Sequence, residues 1–183
     1  SFPMAQPYTT APWYYQNEES LAQKTSNIVD WLLIELRDAE DLTSIESRRA
    51  AILLSNGDLV DTSLQHSLIF PELDSGYYYV LIRHRNHLPV MTASPILLSS
   101  SKYYDFTDSS LVELWGGNSN ALIKTGLSSW AMIAGDINHD MQVQYSGAGN
   151  DRSPVIQEIL QQTGSNSITA TTSGYNVADV NMD

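Results

Sequence analysis

The sequence predicts a mainly β protein: an antiparallel β-sandwich of the immunoglobulin-like, Greek-key type, followed by a small loop-and-helix region. Short runs rich in β-branched and aromatic residues recur between turn residues, and no helical periodicity lies between them. Towards the C-terminus the pattern changes to an acidic loop with helical spacing behind it. We therefore divide the chain into a lead-in (1–26), a sandwich (27–108), a connector (109–130) and a loop-and-helix region (131–183).

The lead-in is predicted to be extended, because prolines at this density exclude the interior of a helix. Its three prolines stand among aromatic residues: Pro3, Pro7, Pro12, Tyr8, Trp13, Tyr14 and Tyr15. Such aromatic residues can form a platform that stacks on sugars, but they more often pack onto a neighbouring domain. We expect them to pack.

The sandwich is predicted from six or seven short strands. Residues 27–37 indicate a strand buried on both faces, and residues 47–61 indicate a hairpin, because an Asn-Gly pair separates two apolar runs. Residues 77–85 are the most strand-like stretch of the chain. Shorter strands are expected near residues 69–70, 89–91, 96–98 and 103–106, and the connector is expected to add an edge strand or a short helix.

The composition excludes several classes of function. The formal net charge of −12 repels phosphate backbones and anionic lipid, so we expect no nucleic acid partner. No apolar run approaches the roughly 20 residues of a membrane span, so we expect no membrane insertion. The chain has no cysteine, which excludes disulfides, thiolate metal sites and thiol nucleophiles.

The acidic loop predicts a calcium site. Asp136, Asn138 and Asp140 occupy positions 1, 3 and 5 of the loop, where alternate side-chain oxygens converge on a hard cation. The backbone carbonyl of Gln142, at position 7, can add a further ligand. We therefore predict Ca²⁺ as the cofactor.

The end of this loop departs from the standard one. An EF-hand loop closes with an acidic residue at position 12, which is Gly147 here, whereas Asn150 and Asp151 follow at positions 15 and 16. If residues 145–149 loop outward, Asp151 can supply the closing carboxylate. Apolar spacing then predicts a helix of about two turns, which gives the half EF-hand order of loop and helix: Pro154, Val155, Ile156, Ile159 and Leu160.

A second copy of the pattern strengthens the calcium prediction. Asp179, Asn181 and Asp183 repeat positions 1, 3 and 5, forty-three residues after the first copy. A single copy would be weak, since ordinary turns use the same residues to bond their own backbone. Recurrence at a fixed spacing indicates a structural unit. This copy stops at its third ligand, so we expect it to bind calcium weakly or not at all.

Six segments together resemble a module found near the C-terminus of large surface and secreted proteins of the Bacteroidota: QPYTTAPWYY (6–15), IVDWLLIELRDAED (28–41), RRAAILLSNGDLVD (48–61), YYYVLIRHRNHLPVMTASPILLS (77–99), YDFTD (104–108) and AGDINHDMQVQYSGAGNDRSPVI (134–156). The resemblance implies export by the type IX secretion system, an extracellular or cell-surface location, and a closing part similar to dockerin-type calcium repeats. His139 and Met141 depart from such loops, which usually carry glycine at position six; Met141 makes the sharp turn harder.

No enzymatic motif of the nucleophile-elbow, zinc-protease or P-loop type is present, so we expect no enzyme. His84 and His87 lie in a strand-like run where alternation points them apart, and we expect both to be hydrogen-bonded structural residues. Glu35 and Asp38 form no convincing glycosidase pair, because one lies in a strand and the other in the turn after it.

Two functions stay open. In the first, the chain is a calcium-stiffened structural or adhesive module of a stalk, fibre or adhesin, and its partners are copies of itself or neighbouring domains. In the second, it docks another protein, as dockerins do, or binds a glycan for a secreted hydrolase. The incomplete second repeat favours the first.

Overall fold

The computed structural model describes residues 2–64, 68–99, 103–108, 112–126, 129–165, 167 and 169–179. Strands in antiparallel sheets predominate there, which confirms the mainly β class. The strands are β1 Ile28–Asp38, β2 Ile45–Leu54, β3 Leu59–Val60, β4 Gly76–Arg83, β5 Val90–Met91, β6 Ile96–Leu98, β7 Leu122–Lys124 and β8 Trp130–Met132, and the helices are α1 Asn118–Ala121 and α2 Arg152–Thr163. Neither helix in the described ranges has the length and apolar character needed to cross a bilayer.

The main sheet has six strands in the order β3-β2-β1-β4-β5, and β6 also pairs with β4. Strand β1 lies at its centre and pairs antiparallel with β2 and β4 along most of its length. Strands β7 and β8 form a separate two-stranded sheet. The described residues contain no second large sheet facing the first, so the sandwich is not confirmed.

Loops cover both faces of the main sheet. On β1, Trp31 and Leu33 point to one face and Leu32, Ile34 and Leu36 to the other, and all five are buried. The lead-in covers the Trp31 face, which confirms that its aromatic residues pack: Tyr8, Trp13 and Tyr15 are buried there, while Tyr14 stays exposed. The connector covers the other face with Val112, Leu114 and Leu122.

Two hydrogen bonds at Trp31 help to fasten the lead-in to the sheet. The Tyr8 hydroxyl donates to the Trp31 carbonyl at 2.6 Å, and the Trp31 indole N–H donates to the Pro3 carbonyl at 3.0 Å. Buried Tyr and Trp side chains need such partners for their polar atoms. The lead-in is therefore part of the core.

The long predicted strands are confirmed at β1, at the β2–β3 hairpin and at β4. The strand predicted over residues 103–106 is wrong: Asp105 instead accepts bonds from the N–H and hydroxyl of Thr107, which makes a turn. Residues 68–70 are irregular, and residues 65–67 lie outside the described ranges. The connector contains both a short helix and an edge strand, α1 and β7.

Candidate metal centre

The first residues of the acidic loop are hydrogen-bonded to the segment that follows β4. Leu88 N–H donates to the Ile133 carbonyl, and Gly135 N–H donates to the Asn86 carbonyl, both at 2.8 Å. His87 and Ala134 form an antiparallel bridge between these bonds. This short pairing places Asp136 beside the sheet, and it depends on a segment that precedes the loop by almost fifty residues.

Asp136, at the first loop position, is 2% exposed. Its Oδ1 atom is buried and has no hydrogen-bond partner among the described residues. When the carboxylate is ionised, this oxygen has lost its water without gaining a donor, which is costly. A bound cation is the kind of partner that would compensate this oxygen.

The next two predicted ligands form a chain of local turns. Asn138 Oδ1 accepts the Asp140 N–H at 2.9 Å, and Asp140 Oδ1 accepts the Gln142 N–H at 3.0 Å. The Asn138 amide also donates to Asp140 Oδ2 at 3.2 Å. These bonds hold the alternate positions on the inside of the loop, although ordinary turns make the same kind of bond.

Asp151 returns to the start of the loop. Its Oδ1 accepts the Ile137 N–H at 2.8 Å, and its Oδ2 accepts the Gln144 N–H at 2.7 Å. The segment between Gln144 and Asp151 contains the exposed Tyr145 and lies on the outside of the loop. Asp151 thus closes the loop by binding its backbone N–H groups, and its carboxylate is buried near that of Asp136.

The charges of Asp140 and Asp151 act on Asp136, and no cationic side chain in the described ranges forms an ion pair with any of the three. Burial, together with the charges of Asp151 and Asp140, raises the pKa of Asp136 to about 6, against weaker backbone hydrogen bonds from Met141 and Asp140. No group of three or more His, Cys, Asp or Glu side chains in the described ranges is arranged to hold a metal ion, so such side chains alone do not complete a site. The oxygen donors still fit a hard cation, since Asn138 and backbone carbonyls can complete such a set.

The backbone of the loop is strained where sequence analysis expected it to be. Met141 has φ 65° and His139 has φ 61°, in the left-handed region that favours glycine. The His139 ring contacts the Trp13 ring edge-on, with centroids 4.7 Å apart. Gly149 has φ 75°, and a β-carbon there would lie 3.3 Å from Asp140 Oδ2.

Asn150 serves the helix in this structure. Its Oδ1 accepts the N–H and the hydroxyl of Ser153, both at 3.0 Å, at the start of α2. Helix α2 is longer than the two turns expected, and none of its residues is buried. The structure therefore brings together Asp136, Asn138, Asp140 and Asp151, while the Gln142 carbonyl makes no hydrogen bond among the described residues.

The second repeat starts beside the first. The Asn86 amide donates to the carbonyls of Val177 and Asp179 at 3.1 and 2.6 Å, and the Arg85 guanidinium lies 3.6 Å from the Asp179 carboxylate. Asn86 thus bonds the first repeat through its backbone and the second through its side chain. Asn181 and Asp183 lie outside the described residues.

Comparisons with known proteins identify no relative. No protein-family model matches the chain, and no curated protein or solved structure is significantly similar to it. The resemblance to a type IX-secreted module therefore stays a prediction.

Sequence analysis missed a buried ionic network around Asp30. This carboxylate accepts bonds from His84 Nε2 at 3.0 Å, Arg85 Nη2 at 3.1 Å and the Tyr175 hydroxyl at 2.5 Å. Burial raises the pKa of Asp30, but the hydrogen bond and charge of His84, with Tyr175 and Arg85, outweigh it and leave the pKa below its ordinary value. The sequence did carry a signal for this network, because Asp30 is an acidic residue within the apolar run of β1.

This network ties the C-terminal segment to the sheet. The Arg85 guanidinium stacks 4.2 Å from the centre of the Tyr175 ring and donates to the Asn176 carbonyl. His84 and His87 are both hydrogen-bonded, as expected, but their rings meet edge-on at 4.4 Å, so the expectation that they point apart is wrong. Strand β4 ends at Arg83, and the alternation of a strand no longer applies beyond it.

Proposed function

We propose that the chain is a calcium-stabilised, non-enzymatic structural or adhesive module of a secreted bacterial surface protein, with calcium in the loop that begins at Asp136. The observation that carries the proposal is the buried Asp136 Oδ1 atom, which lacks a partner among the described residues. Asp140 and Asp151 add negative charge to the same place. A divalent cation would remove this repulsion and replace the missing partner.

The candidate ligands are the side-chain oxygens of Asp136, Asn138 and Asp140 and the backbone carbonyl of Gln142. Asp151 keeps the loop closed through the N–H groups of Ile137 and Gln144 in the conformation described here. Calcium, when bound, would supply positive charge and tie the two ends of the loop together. Such a site stabilises the folded state by its binding free energy.

The surroundings of the loop favour a structural role. Its start is bonded to the end of β4, and His139 contacts Trp13 of the lead-in. Calcium in the loop would therefore stiffen the junction of three parts of the chain. A stalk, fibre or adhesin whose modules contact their own copies or neighbouring domains requires such stiffness, and extracellular calcium suffices for loops of modest affinity. The surface location, the immunoglobulin-like sandwich and the dockerin-type repeat belong to this proposal through the sequence resemblance.

A calcium titration tests the proposal. Chelator-stripped protein should bind calcium in calorimetry, and calcium should raise its melting temperature. Asp136→Ala combined with Asp140→Ala should abolish both effects. Asp105→Ala is the matched control, because Asp105 also accepts turn hydrogen bonds but lies outside the loop. Absence of binding at millimolar calcium would refute the proposal.

A second candidate function is docking of another protein. Two observations favour it: both repeats are hydrogen-bonded near their start to the same residue, Asn86, and the apolar side chains of Ile156 and Leu160 on α2 are exposed. Paired repeats should bind two calcium ions per chain, of which Asp179→Ala removes one. A stoichiometry of one, unchanged in that variant, would favour the structural role.

A further inference from the structure

A cavity of about 300 Å³ lies on the lead-in face of the main sheet, beyond the end of the apolar core. Pro12 and Trp13 form one wall, polar side chains of β1, β2 and β4 form the floor, and Met141 of the acidic loop lies at the side. This volume is at the lower end of the range of small-molecule sites. It has room for one compact ligand.

Three of the chain's six arginines line this cavity, although the chain carries a net charge of −12. The register explains their convergence. Arg48 of β2 lies opposite Glu35 of β1, Arg83 of β4 lies opposite Leu33, and Arg37 follows Glu35 on the same face of β1. Three neighbouring strands therefore direct guanidinium groups to one place.

Glu35 is the main anion for these cations, and it is mostly engaged by one of them. Its Oε1 atom accepts Arg37 Nε at 2.7 Å and lies 2.5 Å from Arg37 Nη2. Arg83 approaches Glu35 only to 3.7 Å, through Nε. Arg48 donates to the Trp13 carbonyl at 2.8 Å. Positive charge in the cavity thus exceeds the carboxylate charge placed against it.

Arg83 is the least satisfied of the three. Its contact with Glu35, at 3.7 Å, is long for a hydrogen bond, and among the described residues Asp136, which also lines the cavity, forms no ion pair with any of the three arginines. Burial lowers the pKa of Arg83, Glu35 opposes this effect, and the charges of Arg37 and Arg48 lower the pKa further. An additional anion would relieve this repulsion.

We propose that this cavity binds a small organic acid through its carboxylate, held by Arg83 and Arg48. The planar guanidinium group matches a carboxylate with two parallel hydrogen bonds. Glu35 engages Arg37 through two close contacts, which leaves Arg48 and Arg83 to hold one ligand carboxylate. The apolar walls formed by Trp13 and its neighbours suit the carbon skeleton of such a ligand.

The test uses two carboxylates and their neutral counterparts: acetate against acetamide, and glucuronate against glucose. Each is titrated into calcium-free protein at constant ionic strength, and the arginine side-chain N–H resonances are followed by NMR. Acetate and glucuronate should give saturable shifts of the Arg83 resonance, and the neutral compounds should not. Because calcium is absent, this outcome does not depend on whether the proposed calcium site binds calcium.

Arg83→Gln should weaken binding of both carboxylates by about tenfold, since it removes a charge-assisted contact. Arg83→Lys should restore part of the affinity, because it keeps the positive charge but loses the paired N–H donors of the guanidinium group. Arg49→Gln is the matched control: Arg49 follows Arg48 on β2 and points to the other face. If Arg83→Gln does not fold, Arg48→Gln replaces it. The comparison of charged with neutral ligands on the unaltered protein then also tests the proposal.

Three results would overturn the proposal. The first is no saturable shift with either carboxylate up to about 50 mM, an affinity too weak for a built site. The second is equal affinity in the Arg83→Gln and Arg49→Gln variants. The third is tighter binding of sulfate than of both carboxylates, which would indicate a general anion site.

Discussion

Replacing Asp136 with Asn should have opposite effects with and without calcium. The substitution keeps the size of the side chain and removes the charge that calcium needs. In calcium-free protein it also removes a buried charge that is repelled by Asp140 and Asp151. We therefore expect Asp136→Asn to stabilise the calcium-free protein at neutral pH and to abolish stabilisation by calcium.

The size of the effect follows from the pKa of Asp136, which is about 6 in the fold against an ordinary value of 3.8. Between these values the folded state holds more protons than the unfolded state, so stability falls as pH rises. The shift corresponds to at most about 3 kcal/mol, and we take about half, because solvent and loop motion screen the charges. This equals a rise in melting temperature of about 3–6 °C for a chain of this length.

The assay is thermal unfolding of chelator-stripped protein and variant from pH 4 to 7.5. The melting temperatures of the two proteins should be equal near pH 4, where Asp136 is largely protonated in the fold. They should separate through pH 6, and the variant should have the higher melting temperature at pH 7.5. Asp105→Asn should leave this difference unchanged. A variant that is less stable than the unaltered protein at pH 7.5 without calcium would refute the electrostatic reasoning.

Three further substitutions test other parts of the fold. Met141→Gly should stabilise the protein by about 0.5–1 kcal/mol in urea unfolding, because relief of the left-handed φ exceeds the entropy cost of glycine; a loss of stability would contradict the strain. Asp30→Ala should cost about 3–5 kcal/mol by the same assay, since Arg85 would stay buried without its anion, and a cost below about 1 kcal/mol would show that the network is dispensable. Tyr8→Phe should cost about 1–2 kcal/mol by leaving the Trp31 carbonyl without its donor, and an unchanged melting temperature would indicate that water replaces the hydroxyl.

The strands and the loop were accessible from the sequence because their signals are local. The apolar run of β1, the Asn-Gly turn of the hairpin and the spacing of Asp136, Asn138 and Asp140 depend on neighbours within a few residues. The short strand predicted at residues 103–106 failed because side-chain turns compete with strand pairing for the same backbone groups. Asn150 shows the same competition, since its oxygen bonds to Ser153 at the start of α2.

Tertiary structure decided which distant residues meet. The Tyr175 hydroxyl binds Asp30 across 145 positions, and Asn86 contacts both acidic repeats. The arginine-lined cavity depends on the register of three strands, which a one-residue slip would turn to the opposite face. By itself the sequence determined a β-rich chain, and the spacing of its acidic loop predicts a calcium site. The burial of particular charges and the choice of their partners depended on packing between segments that are far apart in the chain. Local sequence patterns do not specify such packing.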